Sequence, residues 1–339
     1  MRTTWRSPRR LTAVADRYSL PVRLGFAVKV LGEGGLPSHD ARRWQSGPHL
    51  RTSLEYLGAI LHYLDRHDIR MYRMATALAP YASHPDLPQF HRQVEECADE
   101  LAQAGALARQ LRIRLSSHPG QYTVLNSEDE AVRRAAAAEL EVQASLFDAM
   151  GLPAEAVGVL HVGGAAGGKA AGADRFMAGF EGLSERAKRR LVIENDDRSY
   201  GVADAVEVGR RAGVPVVFDL LHHNCNDPAG IPDREALELC LATWPRDVRP
   251  KIHYSSPRLE IGERRKQNGR RVERVPVLPD MRLHADLIDP LAFGPFVADT
   301  ARGLEFDVML EAKGKDLALL ALRRQLADRR AALEKTASG

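Results

Sequence analysis

The sequence reads as a single closed (β/α)₈ barrel, an α/β fold, on three grounds. Short apolar runs alternate with longer helix-periodic segments, and the alternation counts to eight. No composition break suited to a domain linker interrupts the 339 residues, so the eight units belong to one parallel sheet, and eight in one domain favour closure over an open doubly wound sheet. Histidines and carboxylates recur just after the apolar runs, where the active sites of TIM barrels lie, at the C-terminal mouth of the strands.

Each element has its own local signal. Leu24–Val28 is the first strand and Ser53–Arg66 its helix, with Leu54, Leu57, Ile60, Leu61 and Leu64 at helical spacing. Ile69–Met74 precedes a helix over Phe90–Gln110, and Leu111–Leu115 precedes the Ala-rich Glu130–Met150. Val157–Val162 is the fourth strand, followed by helix from about Asp174 to Lys188. Arg190–Glu194 pairs with Ala203–Ala212, and Val214–Leu220 with Arg234–Thr243. Lys251–Tyr254 is the seventh strand, with helix from about Asp286 to Thr300, and Glu305–Leu310 the eighth, with Lys315–Leu333. Two long connections stand out, residues 30–51 and 255–283, and the second carries a basic hydrophilic stretch over 262–274. Loops of that length are functional or disordered; this one reads equally as a phosphate grip or as a solvated charged loop.

Composition is that of an ordinary globular chain: 48 Lys+Arg against 45 Asp+Glu, 44% hydrophobic and 27% charged. A net charge of +3 does not by itself argue for nucleic acid. The three cysteines, Cys97, Cys225 and Cys240, form no CxxC pair, which fits a reducing compartment. No apolar run reaches the roughly 18 residues of a membrane span. Residues 1–20 read as a flexible basic arm, 21–333 as the barrel and 334–339 as a frayed tail. A cytoplasmic monomer is the expectation, with organelle import from the Arg-rich N-terminus as the alternative.

The reactive side chains cluster at the strand ends. Ser83-His84-Pro85 comes after the second strand, and Ser117-His118-Pro119-Gly120-Gln121-Tyr122 after the third. His161 ends the fourth, Glu194-Asn195-Asp196 the fifth, and Asp219 with His222-His223 the sixth. The seventh contains Lys251 and His253, His284 closes the long basic loop, and Glu311 ends the eighth. Six of the 12 histidines thus come after separate strands or the loops they open, whereas His39, His49, His62, His67 and His91 read as surface residues. Imidazoles mixed with carboxylates suit Mn²⁺ or Zn²⁺ rather than Ca²⁺. There are more donors than one ion uses, so a two- or three-metal site is expected, with Glu194 and Glu311 able to bridge ions. Such sites suit phosphoryl transfer. Lys251 and His253 are two apart on one strand and face the same way; a lysine aimed into the mouth is either functional or paired with a carboxylate. The turn from Gly163 to Lys169 nearly matches a P-loop, but Ala170 stands where Mg²⁺ needs Ser or Thr. No nucleotide cofactor is expected, although Lys169 and the turn amides could hold a backbone phosphate.

These motifs, from Arg23-Leu24-Gly25 through His118–Tyr122, Glu194–Asp197, Lys251-Ile252-His253 and His284-Ala285-Asp286 to Glu311–Lys315, resemble in order and spacing the UV damage endonucleases, a branch of the endonuclease IV and xylose isomerase-like barrels. The resemblance spans Arg23 to about Leu317. It implies a Mn²⁺-dependent nuclease that nicks duplex DNA immediately 5′ to a damaged site, leaving a 3′-hydroxyl and a 5′-phosphate, with Zn²⁺ or Mg²⁺ less favoured. It implies His84, His118, His161, Glu194, Asp219, His222, His253, His284 and Glu311 as metal ligands, with Glu194, Lys251, His253 and Glu311 catalytic. It also implies a carboxylated Lys251, and Gln121 and Tyr122 as lesion probes. Phe26, His223 and Lys169 are further candidates for DNA contact. Some members of the family carry Tyr and Asn where this chain has Phe26 and Val30, which bears on lesion preference. A sugar isomerase or epimerase on the same barrel, an abasic-site endonuclease, and a metal-bearing DNA-binding protein that no longer cuts are the competing functions.

Overall fold

The structure, a computed structural model, describes residues 22–268 and 271–338; the basic arm expected over 1–20 lies outside the described residues. Among the described residues eight parallel strands form the barrel: β1 Leu24–Ala27, β2 Met71–Arg73, β3 Arg114–Ser116, β4 Gly158–His161, β5 Leu191–Glu194, β6 Val216–Val217, β7 Lys251–Tyr254 and β10 Asp307–Leu310. Strands β8, Gly262–Asn268, and β9, Arg271–Val277, form a separate antiparallel hairpin. Continuous ladders run β3-β2-β1-β10-β7 and β4-β5-β6. Two single bridges, Ser117 to Gly158 and Asp219 to His253, join the ladders and close the circle. The second is made by two of the expected metal ligands, so closure and site assembly are one event.

Each helix forms because one of its faces is apolar. Leu50–Arg66 buries Leu50, Leu54, Leu57, Ile60, Leu61 and Leu64 against the strands, and His49 caps it by accepting from the Arg51 amide. Ala98–Gln110 crosses the end of Glu130–Ala149 at Gly105, where a Cβ would lie 1.7 Å from the Met150 carbonyl oxygen; only glycine permits that approach. Several expected elements are broken. The helix expected over Phe90–Gln110 is interrupted at Cys97, and the one expected to about Lys188 divides into Lys169–Glu181 and Glu185–Arg190. The expected sixth strand stops at Val217, and Leu220–Cys225 is a short helix that Asp219 caps by accepting from the His222 amide. The helix expected over 286–300 is Pro290–Pro295 followed by one π turn. The last helix runs through the expected frayed tail to Ser338.

The closed end of the barrel is held by ions. Asp307, fully buried, receives Arg114 at 2.9 Å, Arg23 at 2.7 Å and Arg249 at 3.1 Å. Arg114 is equally buried and also donates to the carbonyls of Glu155 and Arg249. Removing one member of a buried charge network leaves the others unpaired, typically at about 3–5 kcal/mol. Asp307→Asn is therefore expected to lose about 3–5 kcal/mol in urea unfolding. A loss under about 1 kcal/mol would mean that the arginines find other partners.

Candidate metal centre

Strand register builds the site. In the β4–β5 ladder His161 lies beside Glu194, and the closing bridge sets Asp219 beside His253. Glu194 is the hub. Its Oε2 lies 3.0 Å from His118 Nε2 and 3.8 Å from His161 Nε2, and its Oε1 lies 2.8 Å from His253 Nδ1 and 3.5 Å from His222 Nδ1. The imidazoles form an arc, with ring centroids 5.3 Å apart for His118–His161, 5.5 Å for His161–His222 and 6.3 Å for His222–His284. Three overlapping sets each bring their donor atoms within 4.8 Å of one another: His118, His253 and Glu311; His118, His161 and Glu194; Glu194, Asp219 and His222.

Outer contacts fix the rings. His118 Nδ1 donates to the Pro119 carbonyl at 3.0 Å, His222 Nδ1 to the Asn195 carbonyl at 3.0 Å, and His284 Nδ1 to the Glu311 carbonyl at 2.7 Å. Each bond aims the opposite nitrogen elsewhere, as metal-binding histidines require. The buried Asp219 Oδ2 has no hydrogen-bond partner among the described residues, an arrangement a cation would satisfy.

Burial and the surrounding charges shift the protonation of these groups in opposite directions. Burial alone would raise the Glu194 pKa, but His253 and His161 hold it well below the usual carboxylate range. Glu311 is held low in the same way by Arg73 and His253 against burial, whereas burial pushes Asp219 up. Burial also lowers His161, while Asp219, Glu194 and Glu311 overcome burial to raise His222 to about 9. Lys251 is fully buried and its Nζ meets no hydrogen-bond partner among the described residues. Burial, then Arg114 and Arg73, push its pKa well below that of an ordinary lysine. Of the two readings left open for this residue, the carboxylate pair is absent among the described residues.

Two contributors are not evident from the sequence. Arg73, at the end of β2, bonds Glu311 through its guanidinium; a polar residue closing an apolar strand, as His161 does, is the signal that marks it. Asn195 is buried and clamps Asp219 from both sides, donating to its carbonyl at 3.0 Å and accepting from its amide at 2.8 Å.

Gln121 and Tyr122 stand on the loop after β3, and Tyr122 is 83% exposed. Gln121 lines a cavity of about 540 Å³ together with His161, Asp196, Asp197, Arg198 and His222. Four expected contacts are placed differently. Phe26 is fully buried, edge-on to Tyr72 at 5.5 Å, so it packs the core and meets no solvent. His223 is buried behind Phe218 and donates to the Ile231 carbonyl at 2.9 Å, because it lies one residue round the helix from His222. Lys169 is held by Asp204 at 2.6 Å, which ties the Gly-rich turn to the helix Val202–Ala212. His84 is exposed and outside the three donor sets, with its Nδ1 accepting from the Asp86 amide and its carbonyl held by His91.

The model of the UV-endonuclease UvdE family matches residues 50–337. The chain belongs to the UvdE family. A UV DNA damage endonuclease from Bacillus mycoides (strain KBAB4) is 32% identical over 275 residues, covering 80% of this chain and 79% of its own. One from Bacillus velezensis (strain DSM 23117 / BGSC 10A6 / LMG 26770 / FZB42) is 32% identical over 270 residues, 78% of each. The crystal structure of SacUVDE superposes with a TM-score of 0.74 at 30% identity, over 91% of this chain and 98% of that one. A D-psicose 3-epimerase, 16% identical with a TM-score of 0.51 over 92% of this chain and 99% of its own, shares the barrel alone. As a member of the UvdE family the chain is a DNA repair endonuclease, which sets aside the sugar isomerase and the non-cutting binding protein. Among the described residues no helix is long and apolar enough to cross a membrane.

Proposed function

We propose that this endonuclease nicks duplex DNA immediately 5′ to UV photoproducts and other distorting lesions, leaving a 3′-hydroxyl and a 5′-phosphate, with two or three Mn²⁺ ions. The observation that carries the metal assignment is the overlap of three donor sets through His118 and Glu194. His118, His161, Glu194, Asp219, His222, His253 and Glu311 would hold the ions, with His284 at the rim and His84 outside the three donor sets. Bound divalent ions would lower the pKa of the attacking water and steady the charged oxygens of the phosphodiester.

The chain's own groups do the rest. Neighbouring histidines and Arg73 favour the ionised forms of Glu194 and Glu311 against burial. Asn195, Pro119 and the Glu311 carbonyl keep the imidazoles oriented. A neutral amine is the form that adds carbon dioxide, gaining a carbamate and releasing a proton, and the lowered pKa of the buried Lys251 favours that form. Tyr122 and Gln121 fill the space left by nucleotides that leave the stack, an exchange that costs least where stacking is already impaired. Distortion is then what the site reads, rather than one chemical lesion.

The test is a duplex oligonucleotide carrying one cyclobutane dimer, incubated with Mn²⁺ or with chelator. A Mn²⁺-dependent cut just 5′ to the dimer is expected. Cutting that survives chelation would overturn the metal mechanism. Cutting at abasic sites but not at the dimer would overturn the lesion assignment.

A further inference from the structure

The β8–β9 hairpin occupies the connection that the sequence leaves open between a phosphate grip and a solvated loop. Residues 262–277 contain six Lys/Arg and two Glu, a net +4 against +3 for the whole chain. Its stem is tied to the metal centre. Pro257 bridges His284, and the Arg258 amide donates to the Leu283 carbonyl at 2.7 Å, so both strands leave the barrel beside that histidine. Seven residues per strand extend about 23 Å.

The hairpin is built at an electrostatic cost. Arg265 stands directly across the ladder from Arg274, and like charges in that relation destabilise a sheet. Arg274 reaches Glu263 at 3.2 Å, but among the described residues Arg264, Arg265 and Lys266 have no ion-pair partner. Residues 263–267 are all exposed, and a lone two-stranded hairpin is marginal in water. An extended, unsupported, self-repelling cationic ribbon gains most from an extended anion. About 23 Å of duplex axis carries on the order of a dozen phosphates.

We propose that the β8–β9 hairpin is a clamp for the backbone phosphates of undamaged duplex flanking the cleavage site. Arg264, Arg265, Lys266 and Arg274 make contacts that read neither sequence nor lesion. The clamp rests on the DNA reading of the mouth and adds to it where the rest of the duplex is held.

The test measures binding of the full chain to an undamaged duplex by fluorescence anisotropy across a salt series. Replacing the four residues together (R264Q, R265Q, K266Q, R274Q) is expected to flatten the slope of log K against log salt by about 3–4 and to weaken binding at least about tenfold near 0.1 M salt. The charge-keeping variant R264K, R265K, R274K is expected to retain the wild-type slope, because the contacts are ionic. On dimer-bearing duplex the loss falls on KM. A Gln variant with the wild-type slope, or a Lys variant that loses it, overturns the clamp. A chain that binds duplex through the hairpin yet never nicks keeps the clamp and overturns the repair reading instead.

Discussion

Glu194→Gln is expected to abolish nicking while leaving the barrel folded. The carboxylate belongs to two of the three donor sets and lies within 4 Å of four imidazoles. Gln has the same shape, so no cavity forms, but it offers one neutral acceptor where two anionic oxygens served. Losing a group that only orients a ligand costs 10–100-fold; losing the hub itself is expected to exceed about 10³-fold in kcat/KM. The measurement pairs nicking with circular dichroism and metal binding by calorimetry. Near-native cutting by a folded Glu194→Gln protein would remove this residue from the metal assignment.

Tyr122→Ala is expected to separate recognition from chemistry. The ring is 83% exposed and supports no core, so stability should change by less than about 0.5 kcal/mol. Stacking of a base on an aromatic ring is worth about 1–3 kcal/mol, which corresponds to roughly 5- to 150-fold in kcat/KM on a dimer-bearing duplex. Metal affinity should be unchanged, and Tyr122→Phe should restore most of the activity, since stacking needs the ring and not the hydroxyl. An unchanged preference for damaged over undamaged duplex in the Ala variant would end the probing role.

Much of this site is legible in sequence because barrel chemistry concentrates at strand ends. Reading the His, Asp and Glu residues at and just after the end of each apolar run finds His118, His161, Glu194, Asp219, His253 and Glu311 without any contact information. The same rule fails where direction matters. His222 and His223 are adjacent, yet helical geometry turns one toward Glu194 and the other behind Phe218. Phe26 lies on a parallel strand buried on both faces, so alternation does not tell an interior ring from a mouth-facing one. The sequence had a usable hairpin signal in Gly269-Arg270, a Gly-X pair, but the charge around it obscured it.

The barrel, its mouth and most of the donor set are written in the chain itself, because strand–helix periodicity and the residue after each strand are local properties. Which donors converge on Glu194, that Arg73 and Asn195 hold them, and that Lys169, His223 and Phe26 are otherwise engaged came only with the folded molecule. Those outcomes depend on register and closure, which pair residues far apart in the chain. The bridge between Asp219 and His253 exists only once the two ladders have met to close the circle.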